Sequence, residues 1–238
     1  MTDASVRGVT AEELARLFPW VYHMAEAGSW ESIVRHGLLS TSALLDLFEV
    51  RADDRGPIES VHRRKPVTIN HPIHGRAVIR DQKPMDDKGL SRALEDGLTP
   101  RDWYEMLNRH VFFWTSESRL SRLLSARAYR TKRQLVLKVR TADLLAKHGR
   151  SALLSPMNSG ATKPYPHPRG RETVLSLSDY PIEDWKRRRP RGEWVVELLV
   201  ARGIPDIVSY VDEAKHVQGG LAEELVYQRR GQMKACGA

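Results

Sequence analysis

Residues 21–40 read VYHMAEAGSWESIVRHGLLS, and their reading decides the fold. Val21 to Ala25 is a short apolar strand that carries one imidazole, His23. Trp30, Ile33 and Val34 then recur on one face at helical spacing, with Ser29 placed to cap the first amides. Gly37 supplies the positive-φ residue that stops the helix. The pattern is strand, tight helix, glycine stop. A His among apolar neighbours is either a hydrogen-bonded core residue or a ligand contact, and the rest of the chain decides between the two.

Upstream, Thr10 and Glu13 form a capping box for a helix over 10–18, which Pro19 ends. Downstream, Thr41 or Ser42 is placed to cap a helix through Ala43, Leu44, Leu47 and Phe48. Residues 51–89 change character, with many charges and four prolines. Within them Val67-Thr68-Ile69 and Ala77-Val78-Ile79 read as short strands. Residues 51–109 as a whole read as a partly ordered lid or insertion over a cleft. Leu90 to Leu98 reads as a helix stopped by Gly97, and Thr99-Pro100 opens another with Trp103, Met106 and Leu107 on its apolar side.

His110 to Tyr129, HVFFWTSESRLSRLLSARAY, gives an aromatic strand from Val111 to Thr115 and a helix capped by Ser116 or Ser118. From Gln134 to Val139, Leu135, Leu137 and Val139 alternate with Val136 and Lys138. Thr141 is placed to cap a short helix that Gly149 ends. Residues 155–171 form a Pro/Gly-rich loop, 173–177 a strand, and 186–191, KRRRPR, a basic turn. Trp194 to Val200, WVVELLV, is an apolar strand interrupted by one acid, Glu197. The polar stretch 214–238 reads as a C-terminal tail with a helical turn over Ala222–Tyr227, which leaves residues 1–213 as a single domain.

The chain has 238 residues and a formal net charge of +8, which favours an anionic partner. The single cysteine, Cys236, builds neither a disulfide framework nor a Cys-based metal site. His62, His71 and His74 match no common zinc spacing, so no metal is expected. There is no apolar run near the ~20 residues of a membrane span. With no signal-peptide core at the N-terminus, a cytoplasmic protein without membrane contact is expected. Phosphate-binding Gly loops and Gly-x-Ser-x-Gly elbows are absent from the sequence.

Three strands in order each bring an unusual group: His23, the cluster Phe112-Phe113-Trp114, and Glu197. An unpaired carboxylate within a buried Val/Leu strand costs several kcal/mol. Glu197 therefore either faces solvent on an edge strand or projects into a polar cleft.

This order resembles the His-Tyr-Glu class of PARP-like ADP-ribosyltransferases. VYHMAEAGSWESIVRHGLLS resembles the first strand and helix of the DarT family of DNA ADP-ribosyltransferases, and VVELLVARGIPD resembles that family's Glu strand. FFWTSESRLSRLLSARAY is similar to the strand and helix behind the nicotinamide, and IESVHRRKPVTI to the basic segment that supplies an Arg. The chain departs from the family at Ala25, where the family carries Thr, and in its Phe or Trp where the class carries Tyr. Its insertion is also longer.

The resemblance implies an α+β fold, a split β-sheet core with short helices around an NAD cleft. It implies a glycosyltransferase that uses NAD as substrate, toxin-like in its relatives. The acceptor would be a nucleic-acid base, in DNA ahead of RNA. His23 would hold a ribose, with Met24, Ala25, Gly37 and Leu38 along the cofactor. Phe113 or Trp114 would stack on the nicotinamide. Arg64 or Arg80, followed by Arg63, would neutralise the diphosphate, and Glu197 would stabilise the ribosyl cation and act as base. Two other readings stand beside it. An RNA 2′-phosphotransferase would rely on Arg and His in place of Glu197. A nucleic-acid-binding protein without catalysis would need the basic runs 62–65 and 186–191 and neither His23 nor Glu197.

Overall fold

The structure, a computed structural model, describes residues 8–229 apart from 84 and 191. Thr10 and Glu13 do exchange side-chain and backbone hydrogen bonds, and α1 (Ala11–Leu17) follows them. The chain then runs through β1 (Trp20–Glu26), α2 (Trp30–His36), β2 (Leu38–Leu39), α3 (Thr41–Leu47) and α4 (Ala52–Glu59). Next come β3 (Val67–His71), β4 (Gly75–Ile79), α5 (Asp87–Ala93), α6 (Pro100–Asn108), β5 (His110–Trp114) and α7 (Glu117–Ser125). β6 (Arg133–Arg140), α8 (Thr141–His148), β7 (Ala152–Ser155), β8 (Leu175–Ser176) and α9 (Ile182–Arg188) follow. The described chain closes with β9 (Glu197–Ala201), β10 (Gly203–Ile204), β11 (Val211–Gln218) and β12 (Leu221–Gln228).

The architecture is mixed α and β on a large antiparallel sheet. Eight strands form it in the order β12-β11-β6-β1-β5-β9-β7-β8. β1 is laddered to β6 from Trp20 to Glu26, but to β5 only through Tyr22 and Trp114. The sheet is thus two four-stranded halves joined at one residue pair. Alternation along β6 buries Leu135, Leu137 and Val139 on one face, as its period of two requires. There they meet Val21, Phe113, Leu198 and Val200 under α1, α2 and α8.

Residues 51–109, expected as a partly ordered lid or insertion, pack around two small cores. Val67–Ile69 and Ala77–Ile79 are strands of the β3–β4 hairpin. Leu45, Phe48, Ile58, Ile69, Ala77 and Ile79 form a small core of their own beneath it, and α5 and α6 bury a further one around Trp103 and Tyr104. The segment is a packed wall.

Several caps differ from expectation. Ser29 stands at the start of α2 but makes no side-chain cap, because its backbone is already helical. Ser40, not Thr41 or Ser42, accepts from the Ala43 amide and starts α3. The α5 helix stops at Ala93, short of Gly97. The stretch from 214 is neither a tail nor a helical turn as far as residue 228. β11 and β12 pair with each other, and β11 adds them to the sheet through β6. Residues 230–238 of the expected tail, with Cys236, lie outside the described residues.

Gly37 ends α2 as expected, with φ of +82°. A Cβ there would lie 2.4 Å from the Cα of Pro205 and 2.7 Å from the carbonyl oxygen of Ile204. Both neighbours are backbone and cannot yield. Gly37→Ala is therefore expected to destabilise the fold by about 2–4 kcal/mol from strain and overlap together. Differential scanning fluorimetry should show a melting temperature lower by roughly 5–10 °C.

Candidate functional site

A cleft of about 590 Å³ opens where β1 and β5 part, between them and the β3–β4 wall. That size suits a cofactor-sized ligand. Alternation sends Tyr22, Trp114 and Glu197 to one face of the sheet and His23 and Phe113 to the other. The cleft reaches Trp114 and Glu197 from one face and His23 and Phe113 from the other, because the ladder is broken between β1 and β5.

His23 holds the break. Its Nδ1 lies 2.8 Å from the Phe112 carbonyl, an acceptor that β1 would otherwise have paired through its backbone. A carbonyl only accepts, so Nδ1 carries the proton and Nε2 is left as an acceptor. Burial, helped by the charge of Arg80, pushes the imidazole down to about 4, so the ring is neutral at physiological pH. His23 is thus both the hydrogen-bonded residue of the bland reading and a cleft-lining group.

Glu197 sits at the start of β9, only 3% exposed. It is not on an edge: β5 flanks it on one side and β7 on the other. The Ser159 amide (3.0 Å) and hydroxyl (2.6 Å) both donate to its Oε2. Burial nevertheless raises its pKa to about 7, against those two bonds and the charges of Arg119 and Arg169, which pull it down. A carboxyl poised near neutrality at the back of a cleft is a candidate general base.

Ser159 belongs to the loop 156–170, which no helix or strand period marks. Arg169, 1% exposed, holds that loop. It donates to the carbonyls of Ser159 (3.0 Å), Ala161 (2.7 Å) and His167 (3.1 Å), and lies over the Trp103 ring. The Trp103 indole also donates to the Ser159 carbonyl, at 3.1 Å. Glu197 is therefore positioned by Ser159, and Ser159 by Arg169 and Trp103. Sequence reasoning missed both Ser159 and Arg169. The available signal was an Arg inside a Pro/Gly-rich stretch whose one other fixed charge is Lys163.

The three expected arginines part company. Arg80 lines the cleft, lies over the Tyr129 ring (5.1 Å), and donates through Nη1 to the Met24 carbonyl at 3.2 Å. Its Nη2 is buried without a hydrogen-bond partner, and its Nε is 3.7 Å from Glu26. Arg63 is 7% exposed and spends its guanidinium on the Arg80 and Ile58 carbonyls and on Asn108, which ties the wall to α6. Burial lowers its pKa to about 10. Arg64 is exposed and does not line the cleft, so the structure removes it from the site: its neighbour Arg63 turns inward and sends it out.

Among the other expected contacts, Met24, Ala25, Gly37 and Leu38 all line the cleft, though each is buried. Phe113 also lines the cleft but is wholly buried in the main core, its ring 5.7 Å from that of His23. Trp114 lines the cleft half-buried and is paired directly with Glu197. Among the described residues no group of three or more His, Cys, Asp or Glu is placed to hold a metal ion. Nor is any described helix long and apolar enough to cross a membrane.

The family described as "Family of unknown function (DUF7002)" matches residues 19–211. No curated protein matches the sequence. Among solved structures, one named EcPltA aligns over 87% of this chain and 82% of its own at 11% identity, with a TM-score of 0.33. A likeness at that level carries no argument.

Proposed function

The chain belongs to the DUF7002 family, and we propose that it is an NAD-dependent ADP-ribosyltransferase of the PARP-like class, close in type to DarT, whose acceptor is a nucleic-acid base. The observation that carries this reading is Glu197, an enclosed carboxyl with a pKa raised to about 7, opening on the same cleft as His23 and Arg80.

The residues fit the substrate. The Nε2 acceptor of neutral His23 suits a ribose hydroxyl, which donates. Arg80 has an unsatisfied N–H for a phosphate oxygen. Trp114 offers an aromatic face for nicotinamide beside Glu197. In the reaction the bond from the nicotinamide nitrogen to C1′ of the ribose breaks, and nicotinamide leaves as a neutral molecule. Positive charge builds on the ribose, as in glycoside hydrolysis. The ionised Glu197 stabilises that charge. The acceptor then forms a bond to C1′ and its proton passes to Glu197, which releases it to solvent. The split sheet supports the same reading, because a ligand threaded between β1 and β5 meets groups from both faces.

The test is incubation with NAD labelled on the adenylate, followed by separation of DNA, RNA and protein. Label is expected in nucleic acid, in DNA above RNA. No label in any pool, with no NAD binding by calorimetry, would sink the proposal. Loss of an RNA 2′-phosphate to a labelled small molecule, unaffected by Glu197→Gln, would point to 2′-phosphotransferase-like chemistry. Nucleic-acid binding without any NAD binding would leave the non-catalytic reading.

His23→Ala supplies a second expectation. It removes the ribose contact and unpairs the Phe112 carbonyl at once, so NAD affinity should fall about tenfold or more. Calorimetry on protein that still melts cooperatively checks it. Unchanged affinity would return His23 to a purely structural role.

A further inference from the structure

Part of the basic runs conspicuous in the sequence is spent on bonds within the protein, while Arg64, Lys65 and Arg188 are exposed and make no ion pair among the described residues. Arg63 is buried on carbonyls, Lys186 pairs with Glu183, Arg187 with Asp184, and Arg189 donates to the Pro156 and Glu193 carbonyls. The segment from Arg119 to Arg133 differs in that it borders the cleft, through Leu123 and Tyr129. It holds six cations, and acids neutralise those at its ends and at Lys132: Glu193 at Arg119, Asp81 at Lys132, and Glu223 and Glu224 at Arg133. Arg122, Arg127 and Arg130, between them, are exposed and make no ion pair among the described residues.

These three cations are sequence neighbours of the cleft-lining Leu123 and Tyr129. The Tyr129 hydroxyl donates to Asp81 and to the Lys83 carbonyl, which fastens the segment to the end of the β3–β4 wall. That contact brings exposed, unpaired Lys83 alongside. The turn carrying Arg127 and Arg130 is itself fixed by amides of Tyr129 and Arg130 bonded to the Ala126 carbonyl.

We infer that Lys83, Arg122, Arg127 and Arg130 form the track for the phosphate backbone of a single-stranded nucleic acid, laid across the mouth so that one base enters the cleft. Unpaired cations on a short rigid turn release counterions when phosphates replace them. A strand is favoured over a duplex because chemistry on a base requires that base out of its stack. The inference rests on the reading of the cleft as a transferase site, since the base has to enter it.

The experiment measures binding of a fluorescent single-stranded DNA oligonucleotide to the full chain across a salt series, by anisotropy. Arg127→Ala/Arg130→Ala is expected to lower the magnitude of the log–log salt slope by about 1.4, and affinity by roughly 25-fold near 0.1 M salt. NAD affinity should be unchanged, since neither residue lines the cleft. The comparison variant Arg187→Ala/Arg188→Ala should keep the slope. An unaltered slope in the first variant, or a loss confined to the second, would overturn the track. So would capture on phosphatidylglycerol vesicles with no oligonucleotide binding. A lowered slope in a protein that binds no NAD would leave the track standing and remove the transferase reading.

Discussion

Replacing Glu197 by Gln should abolish transfer and, at pH 8, make the protein more stable. A base that takes the acceptor proton is worth about 10²–10⁴ in rate, and the same side chain also faces the ribosyl charge. NAD affinity should survive, because the amide keeps an oxygen for Ser159. The stability gain follows from the raised pKa. The folded protein holds the Glu197 proton up to about pH 7, whereas an ordinary Glu loses it near 4.5. Below 4.5 both states carry the proton and the burial of a neutral acid is undisturbed. As pH rises through 7 the folded state must ionise an enclosed group, and that stability is lost. The full difference is about 3 kcal/mol, at 1.36 kcal/mol per unit.

Gln never ionises, so its variant should melt about 5–10 °C above the parent at pH 8 and together with it near pH 4. His23 has the opposite slope. Its folded pKa of about 4 lies below the ordinary 6.5, so it withdraws stability as pH falls from 6.5 towards 4. Both proteins share that term, and their difference isolates Glu197. The parent's kcat/KM should rise through pH ~7 as the free enzyme's carboxyl ionises. Equal melting temperatures at pH 8 would mean that the carboxyl is not enclosed as described.

What the sequence displayed was local or chemically odd. His23 and Glu197 stood out because each breaks an apolar strand. The alternation of Leu135, Leu137 and Val139 and the stop at Gly37 have one-residue causes, and all are present in the fold. The C-terminal hairpin was hidden by its own irregularity. One extra residue, Asp212, shifts β11 against β6, and two more, Val226 and Glu223, shift β12 against β11. The bulge lets Val211 and Ala214 face the main core together, while Val217 is buried on the opposite face, so the buried positions recur at a spacing of three that imitates a helix. β12, LAEELVYQ, is an exposed edge strand built largely of helix formers, and pairing overrides their propensity. The arginines were illegible for a different reason. Whether a guanidinium is spent on carbonyls, as Arg63 and Arg169 are, or left free, as Arg130 is, depends on residues far along the chain.

Arg169 is the position whose loss should do most damage to the fold. Removing its guanidinium leaves the carbonyls of Ser159, Ala161 and His167 without those donors, in a place only 1% exposed. Each such loss costs about 1–3 kcal/mol, and truncation adds a cavity beside Trp103. Arg169→Ala is thus expected to lose about 4–6 kcal/mol, a large part of the ~5–15 kcal/mol that holds a typical domain together. Arg169→Lys should rescue little, since one ammonium cannot span three carbonyls that a planar fork reaches. The backbone of Arg169 would still hold the loop to α5, through its amide on the Ala93 carbonyl and its carbonyl on the Glu95 amide. The freed part is therefore 156–168, with Ser159 in it. Both Ser159 bonds depress the Glu197 pKa, so their loosening should raise it. In Arg169→Lys, which keeps the positive charge, the rise of kcat/KM should move to higher pH than in the parent. A Lys variant that is less stable but keeps the parent pH profile would show that Arg169 supports the loop without setting the base. A shifted profile would make the buried Arg169–Ser159 contact a determinant of the pH at which Glu197 works.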